Sequence, residues 1–130
     1  FRAAWIQTVH GHFRDMPTRQ LQDTLLVMLD SLRQVGMNAV IFQVRPEADT
    51  FYSSELEPWS RFLTGEQGKK PEPEWDPMRF MIEECHRRAM EFHAWINPYR
   101  SGLLFTVTNF FLIQRCLKVA SIYVGLWVIL

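Results

Sequence analysis

Three short, continuously apolar runs constrain this chain more than anything else in it: residues 2–9 (RAAWIQTV), 38–45 (NAVIFQVR) and 91–97 (EFHAWIN). Their length and their aromatic and β-branched content suit strands, and the absence of polar alternation points to burial on both faces. Between the first two, Leu21, Leu25, Met28, Leu29, Leu32 and Val35 recur at intervals of three and four. That spacing predicts a helix over 18–35, with Thr18 as N-cap and Gly36 as a left-handed stop. Asp76-Pro77 is an N-cap followed by an N1 proline, and Met78, Met81, Ile82, Cys85 and Ala89 predict a second helical stripe to about residue 90. Glu83 and Glu84 four residues before Arg87 and Arg88 predict ion pairs on its solvated face.

Strands alternating with amphipathic helices imply crossover connections and a parallel sheet, either open and doubly wound or closed into a barrel. The turn after the first run reads His10-Gly11-His12-Phe13, with no glycine-rich phosphate fingerprint, so no nucleotide cofactor is expected and none of another kind is indicated. Pro46 ends the second strand and Pro98 the third. Polar residues gather where these strands stop: Gln43 and Arg45 on the second, Asn97, Tyr99 and Arg100 on the third. In a barrel that end is the active face. The connection over 46–75 carries Phe51, Tyr52, Trp59, Phe62 and Trp75 among glycines, prolines and charges, and an irregular loop of that length usually serves function.

Charge excludes some partners. With 14 basic and 14 acidic residues and no long basic run, the chain lacks the excess that capture of a nucleic acid needs. The balance is uneven along the chain: residues 1–91 hold every acid and all but three of the bases. Residues 102–130 are apolar at 20 of 29 positions, with Gln114, Arg115 and Lys118 splitting them into pieces shorter than a membrane span. This tail is read as a segment apart from 1–101, either a membrane-contacting piece, further buried strand, or non-native, frame-shifted sequence, the last being favoured. Two cysteines, Cys85 and Cys116, make no disulfide framework.

The strand RAAWIQTV, the block NAVIFQVRPEAD with YSSELEPWSRFLTGEQGK, and the segment DPMRFMIEECHRRAMEFHAWINPYR, in that order, resemble the glycosyl-hydrolase-like 10 family, which is distantly similar to α-amylase-type (β/α)8 hydrolases. The likeness covers about residues 2–101. It implies an α/β fold, the first three parallel strands and two helices of a (β/α)8 TIM barrel, a carbohydrate substrate, and a bacterial protein that is exported or in the cell envelope. Eight strands need about 250 residues, so the chain reads as the N-terminal piece of a glycoside hydrolase, inactive by itself. Three strands leave edges open, and the piece alone is expected to be marginal in stability or aggregation-prone.

Candidate substrate contacts follow from strand ends and loop aromatics. Arg45 is placed to fork onto a sugar hydroxyl, a substrate carboxylate or Asp49, or else to brace the loop through a neighbouring acid. Trp59 offers a flat face to a pyranose or folds back as a plug. Asn97 and Arg100 offer hydrogen bonds and Tyr99 a stacking ring, while Asn-Pro is also a plain stop signal. Trp5 and Trp95, inside strands, are expected to fill a barrel interior. Hydrolysis of a glycosidic bond normally uses two carboxyl groups about 5–9.5 Å apart, and Glu47 and Asp49 are the only acids just past a strand end. In amylase-type relatives the catalytic carboxylates follow later strands. Two further classes compete: a glycan-binding module without turnover, and a metal-dependent amidohydrolase-like barrel begun by His10 and His12, for which His86 and His93 supply no complementary positions.

Overall fold

A computed structural model describes residues 1–100 of the chain. The reading of residues 102–130 as a separate tail with membrane contact lies outside these residues. Six elements follow in order: β1 (Ala3–Ile6), α1 (Thr18–Gln34), β2 (Ala39–Arg45), α2 (Arg61–Thr64), α3 (Pro77–Arg87) and β3 (Glu91–Ile96). The strands lie side by side as β1-β2-β3, parallel throughout, with Ala3 opposite Ala39, Ala39 opposite Glu91, and Trp5 opposite Ile41 opposite His93. Three parallel strands joined through helices are the α/β pattern expected from the apolar runs.

One face of the sheet carries the core. Ile6, Val40, Phe42 and Val44 meet Leu21, Leu25 and Leu29 of α1 and Met81 and Cys85 of α3 in a single buried cluster. Period two on the strands and period 3.6 on the helices bring these residues together. The opposite face carries Trp5, Ile41, His93 and Trp95. Trp5 meets Trp95 edge to face at 5.1 Å, yet the described residues leave Trp5 65% exposed, so they do not enclose the interior it was expected to fill.

Both long helices stop the same way. After α1, Gly36 takes φ +82°, its N–H donates to Arg33 and that of Met37 to Leu32, which satisfies two terminal carbonyls. After α3 the left-handed residue is Ala89, at φ +52°, with Ala89 N–H donating to His86 and Met90 N–H to Cys85. This closure ends α3 at Arg87 rather than near residue 90. Three other expectations are corrected. Pro17 occupies the N-cap of α1, because the Thr18 hydroxyl donates to the Glu72 carbonyl at 3.0 Å instead of capping. The ladder of β1 ends at Ile6, since Thr8 turns to Gln43 through its side chain. Of the ion pairs read along α3, Glu84 pairs with Arg88, but Glu83 takes Arg79, and Glu84 is only 7% exposed rather than solvated.

Candidate functional site

The C-terminal end of β2 is where buried polar groups concentrate. Every residue from Phe42 to Phe51 is buried, including Gln43, Arg45, Glu47, Asp49 and Thr50. Buried polar groups persist only when hydrogen-bonded, and most of these are. Gln43 ties β1 to β2: its side-chain oxygen accepts the Thr8 N–H at 3.0 Å, and its carbonyl accepts the Thr8 hydroxyl at 3.0 Å. Between Gln43 and Arg45 the register with β3 slips, so that Gln43 faces Trp95 while Arg45 faces Ile96. Irregularities of this kind re-aim a side chain at the end of a strand.

Arg45 is 2% exposed and spends its fork inside the protein. Its Nε donates to Glu57 Oε1 and Oε2 at 2.8 and 3.0 Å, its Nη2 to Glu57 Oε1 at 2.6 Å, and its Nη1 to the Asn97 carbonyl at 2.5 Å. Its carboxylate partner is therefore Glu57, twelve residues along the loop, and not Asp49. Asn97 is equally engaged. Its N–H donates to the Arg45 carbonyl at 3.0 Å, its Nδ2 to the Pro46 carbonyl at 3.0 Å, and its Oδ1 accepts the Trp95 indole N–H at 2.8 Å. Both residues brace the ends of β2 and β3 against the loop.

The loop itself is more ordered than its composition suggests. Thr50 and Trp59 form a parallel bridge, with Thr50 N–H donating to Pro58 and Ser60 N–H to Thr50. Ser60 then accepts from Phe62 N–H and starts the short helix α2, which Gly65 ends. The bridge draws Trp59 into the core at 7% exposure, which removes it from the surface a stacking platform must occupy. Tyr99, by contrast, is 72% exposed just past β3, with Arg100 half-buried beside it.

Glu47 and Asp49 are both buried among the described residues. Arg61 Nη2 donates to both Glu47 oxygens, at 3.3 and 3.1 Å, and the Glu47 N–H donates to Asp49 Oδ1 at 3.3 Å. Asp49 is fully buried, and among the described residues its Oδ2 has no hydrogen-bond partner. Burial pushes its carboxyl above the usual aspartate value, and the neighbouring Glu47 charge adds to this against the opposing pull of the Ser60 hydroxyl. His10 and His12 are exposed, and among the described residues no three His, Cys, Asp or Glu side chains gather as a metal site would require. Glu57 and Thr8 were not singled out from sequence, whereas Gln43 was, as a polar residue at the end of the second strand. Only an acid on the same loop as Arg45 pointed toward the first of them.

The chain is 45% identical over 112 residues to glycosyl hydrolase YngK of Bacillus subtilis, a match covering 83% of this chain and 22% of that protein. It is 43% identical over 82 residues to glycosyl hydrolase DigH of Escherichia coli, covering 63% of this chain and 18% of that one. The chain thus spans about a fifth of the length of these curated relatives. The family model described as glycosyl hydrolase-like 10 matches residues 1–118, past the position where the resemblance was read to stop. The chain belongs to the glycosyl hydrolase-like 10 family.

Proposed function

We propose that this chain forms the opening three strands of a (β/α)8 barrel that acts on the glycosidic bonds of a carbohydrate, and that Tyr99 and Arg100 contact the sugar. The observation that carries this reading is the brace at the strand ends. Arg45, Glu57 and Asn97 lock the C-terminal ends of two adjacent parallel strands together, and Tyr99 projects from that same end. An active barrel face is built from such strand ends. Family membership and the names of the relatives support a carbohydrate as the ligand. In this reading Arg45 and Asn97 position the rim, Trp59 plugs the loop, and the exposed face bearing Trp5 and Trp95 belongs to the barrel interior.

The paired carboxyl groups that hydrolysis requires are assigned to strands after the third, because Glu47 is held by Arg61 and Asp49 is buried away from solvent. The chain by itself then binds sugar without turnover. Titration calorimetry with cellotetraose, chitotetraose and maltotetraose tests this. At least one sugar binds without release of reducing ends, and Tyr99→Ala weakens it about three- to tenfold through loss of one stacking contact. Unchanged affinity in that variant, or no binding of any of the three, sinks the reading.

A further inference from the structure

Two acids are buried together just after β2, and the base that reaches them is taken by one. Glu47 is 3% exposed and Asp49 0%, and the Glu47 N–H donates to Asp49 Oδ1 at 3.3 Å. Arg61, reaching back from α2, gives its guanidinium to both Glu47 oxygens. Asp49 faces the Glu47 charge on its own loop and, from the start of α2, the Ser60 hydroxyl and the Arg61 backbone amide. Among the described residues its Oδ2 has no hydrogen-bond partner. A neutral acid in this place leaves one uncharged oxygen unpaired. A carboxylate leaves a buried charge beside another of the same sign, at a far higher cost.

Asp49 also lies in the joint that closes the loop. The next residue, Thr50, forms the bridge to Trp59: its N–H donates to the Pro58 carbonyl at 2.9 Å, and its carbonyl accepts the Ser60 N–H at 2.9 Å. Glu57, which holds Arg45 Nη2 at 2.6 Å, precedes Trp59 by two residues on the same length of chain. One joint thus fastens both the inward Trp59 and the brace at the strand ends. Asp49, Thr50 and Ser60 have no exposed surface, so water reaches the carboxyl only when this joint parts.

We propose that Asp49 is a proton-dependent latch on this loop. Uncharged, it lets the Thr50–Trp59 bridge close; on losing its proton it favours the parted joint and slackens the hold of Glu57 on Arg45. The closed loop keeps the proton, because burial and the Glu47 charge hold the carboxyl above its ordinary range. The parted loop exposes an ordinary aspartate, which ionises near about pH 4. Between that pH and the raised value of the closed loop, the parted fraction climbs about tenfold per pH unit, then levels off. The loop is therefore shut most tightly in acid. The latch goes beyond the carbohydrate reading and holds whatever the rim binds, so its test uses no sugar.

Amide hydrogen exchange of the ¹⁵N-labelled chain between about pH 4 and about pH 8, expressed as protection factors, reads the joint directly. The Thr50 and Ser60 amides lose protection as pH rises, by about tenfold per unit over part of that range. Dilute urea leaves their protection unchanged while lowering that of the Leu25 and Leu29 amides in α1, because parting the joint exposes little surface and global unfolding exposes much. The loss levels off at the midpoint of the Asp49 ¹³C carboxyl titration, and in Asp49→Asn the two amides keep the same protection at every pH. If Thr50 and Ser60 share the urea dependence of α1, the loop parts only with the whole chain and the latch is overturned. Protection that is flat with pH in the parent, or that still falls in Asp49→Asn, overturns it equally. If the variant does not fold, a carboxyl midpoint in the parent that departs from the levelling point does the same.

Discussion

Arg45 and Asn97 hold each other twice: the Asn97 N–H donates to the Arg45 carbonyl at 3.0 Å, and the Arg45 guanidinium returns a bond to the Asn97 carbonyl at 2.5 Å. With Glu57 on the other edge of the fork, this makes a buried ion pair whose side chains are 3% and 8% exposed. Charges so placed depend on one another, because each without its partner is a buried, unpaired ion.

Arg45→Met is therefore expected to destabilise the chain by about 3–5 kcal/mol, since Glu57 is left alone. Arg45→Met with Glu57→Leu is expected to regain most of that loss, because apolar replacement of both partners removes the desolvation cost. Urea denaturation of the three proteins checks the order. A double variant as unstable as the single one would show that the pair is not the source of the effect.

Asp49→Asn is expected to relieve a cost that grows with pH. Burial holds the Asp49 carboxyl above the ordinary aspartate range in the folded chain, so over that interval the folded state keeps a proton the unfolded state has released. The stability this confers is complete at acid pH and is lost as pH rises through the folded value. Asparagine does not titrate. The stability of the variant relative to the parent should rise between about pH 4 and about pH 7, read from urea midpoints, and an equal difference at both ends would contradict the assignment.

Ala89→Gly is expected to stabilise the chain by about 0.5–1 kcal/mol. Ala89 closes α3 at φ +52°, where a Cβ costs about 1–2 kcal/mol, part of which glycine gives back through its greater freedom when unfolded. Thermal denaturation should show a higher midpoint, and a lower one would mean that the methyl group packs favourably enough to outweigh its strain.

Cys85 is expected to resist alkylation in the native chain. It is fully buried, and burial pushes its thiol up to about 11, so little thiolate exists near neutral pH. Iodoacetamide at about pH 8 should leave the Cys85 peptide unmodified until denaturant is added, as mass spectrometry would show. Rapid labelling without denaturant would mean that α3 opens readily.

Sequence alone determined the three parallel strands, the two long helices and the end of the sheet at which polar residues collect. Each rests on a local signal: an apolar run closed by Pro46 or Pro98, a stripe at helical spacing, a glycine or an Asp-Pro pair at a terminus. Tyr99 was legible as a residue beyond a strand end for the same reason. The tertiary structure decided the partners. A buried guanidinium takes the carboxylate that arrives in space, and the slip after Gln43 and the Thr50–Trp59 bridge bring Glu57 to Arg45 while carrying Trp59 inward. The meeting of Asp15 with Gly65 likewise joins two connections fifty residues apart. Neither relationship has a periodicity to read, because each depends on how separate loops pack once the sheet has formed.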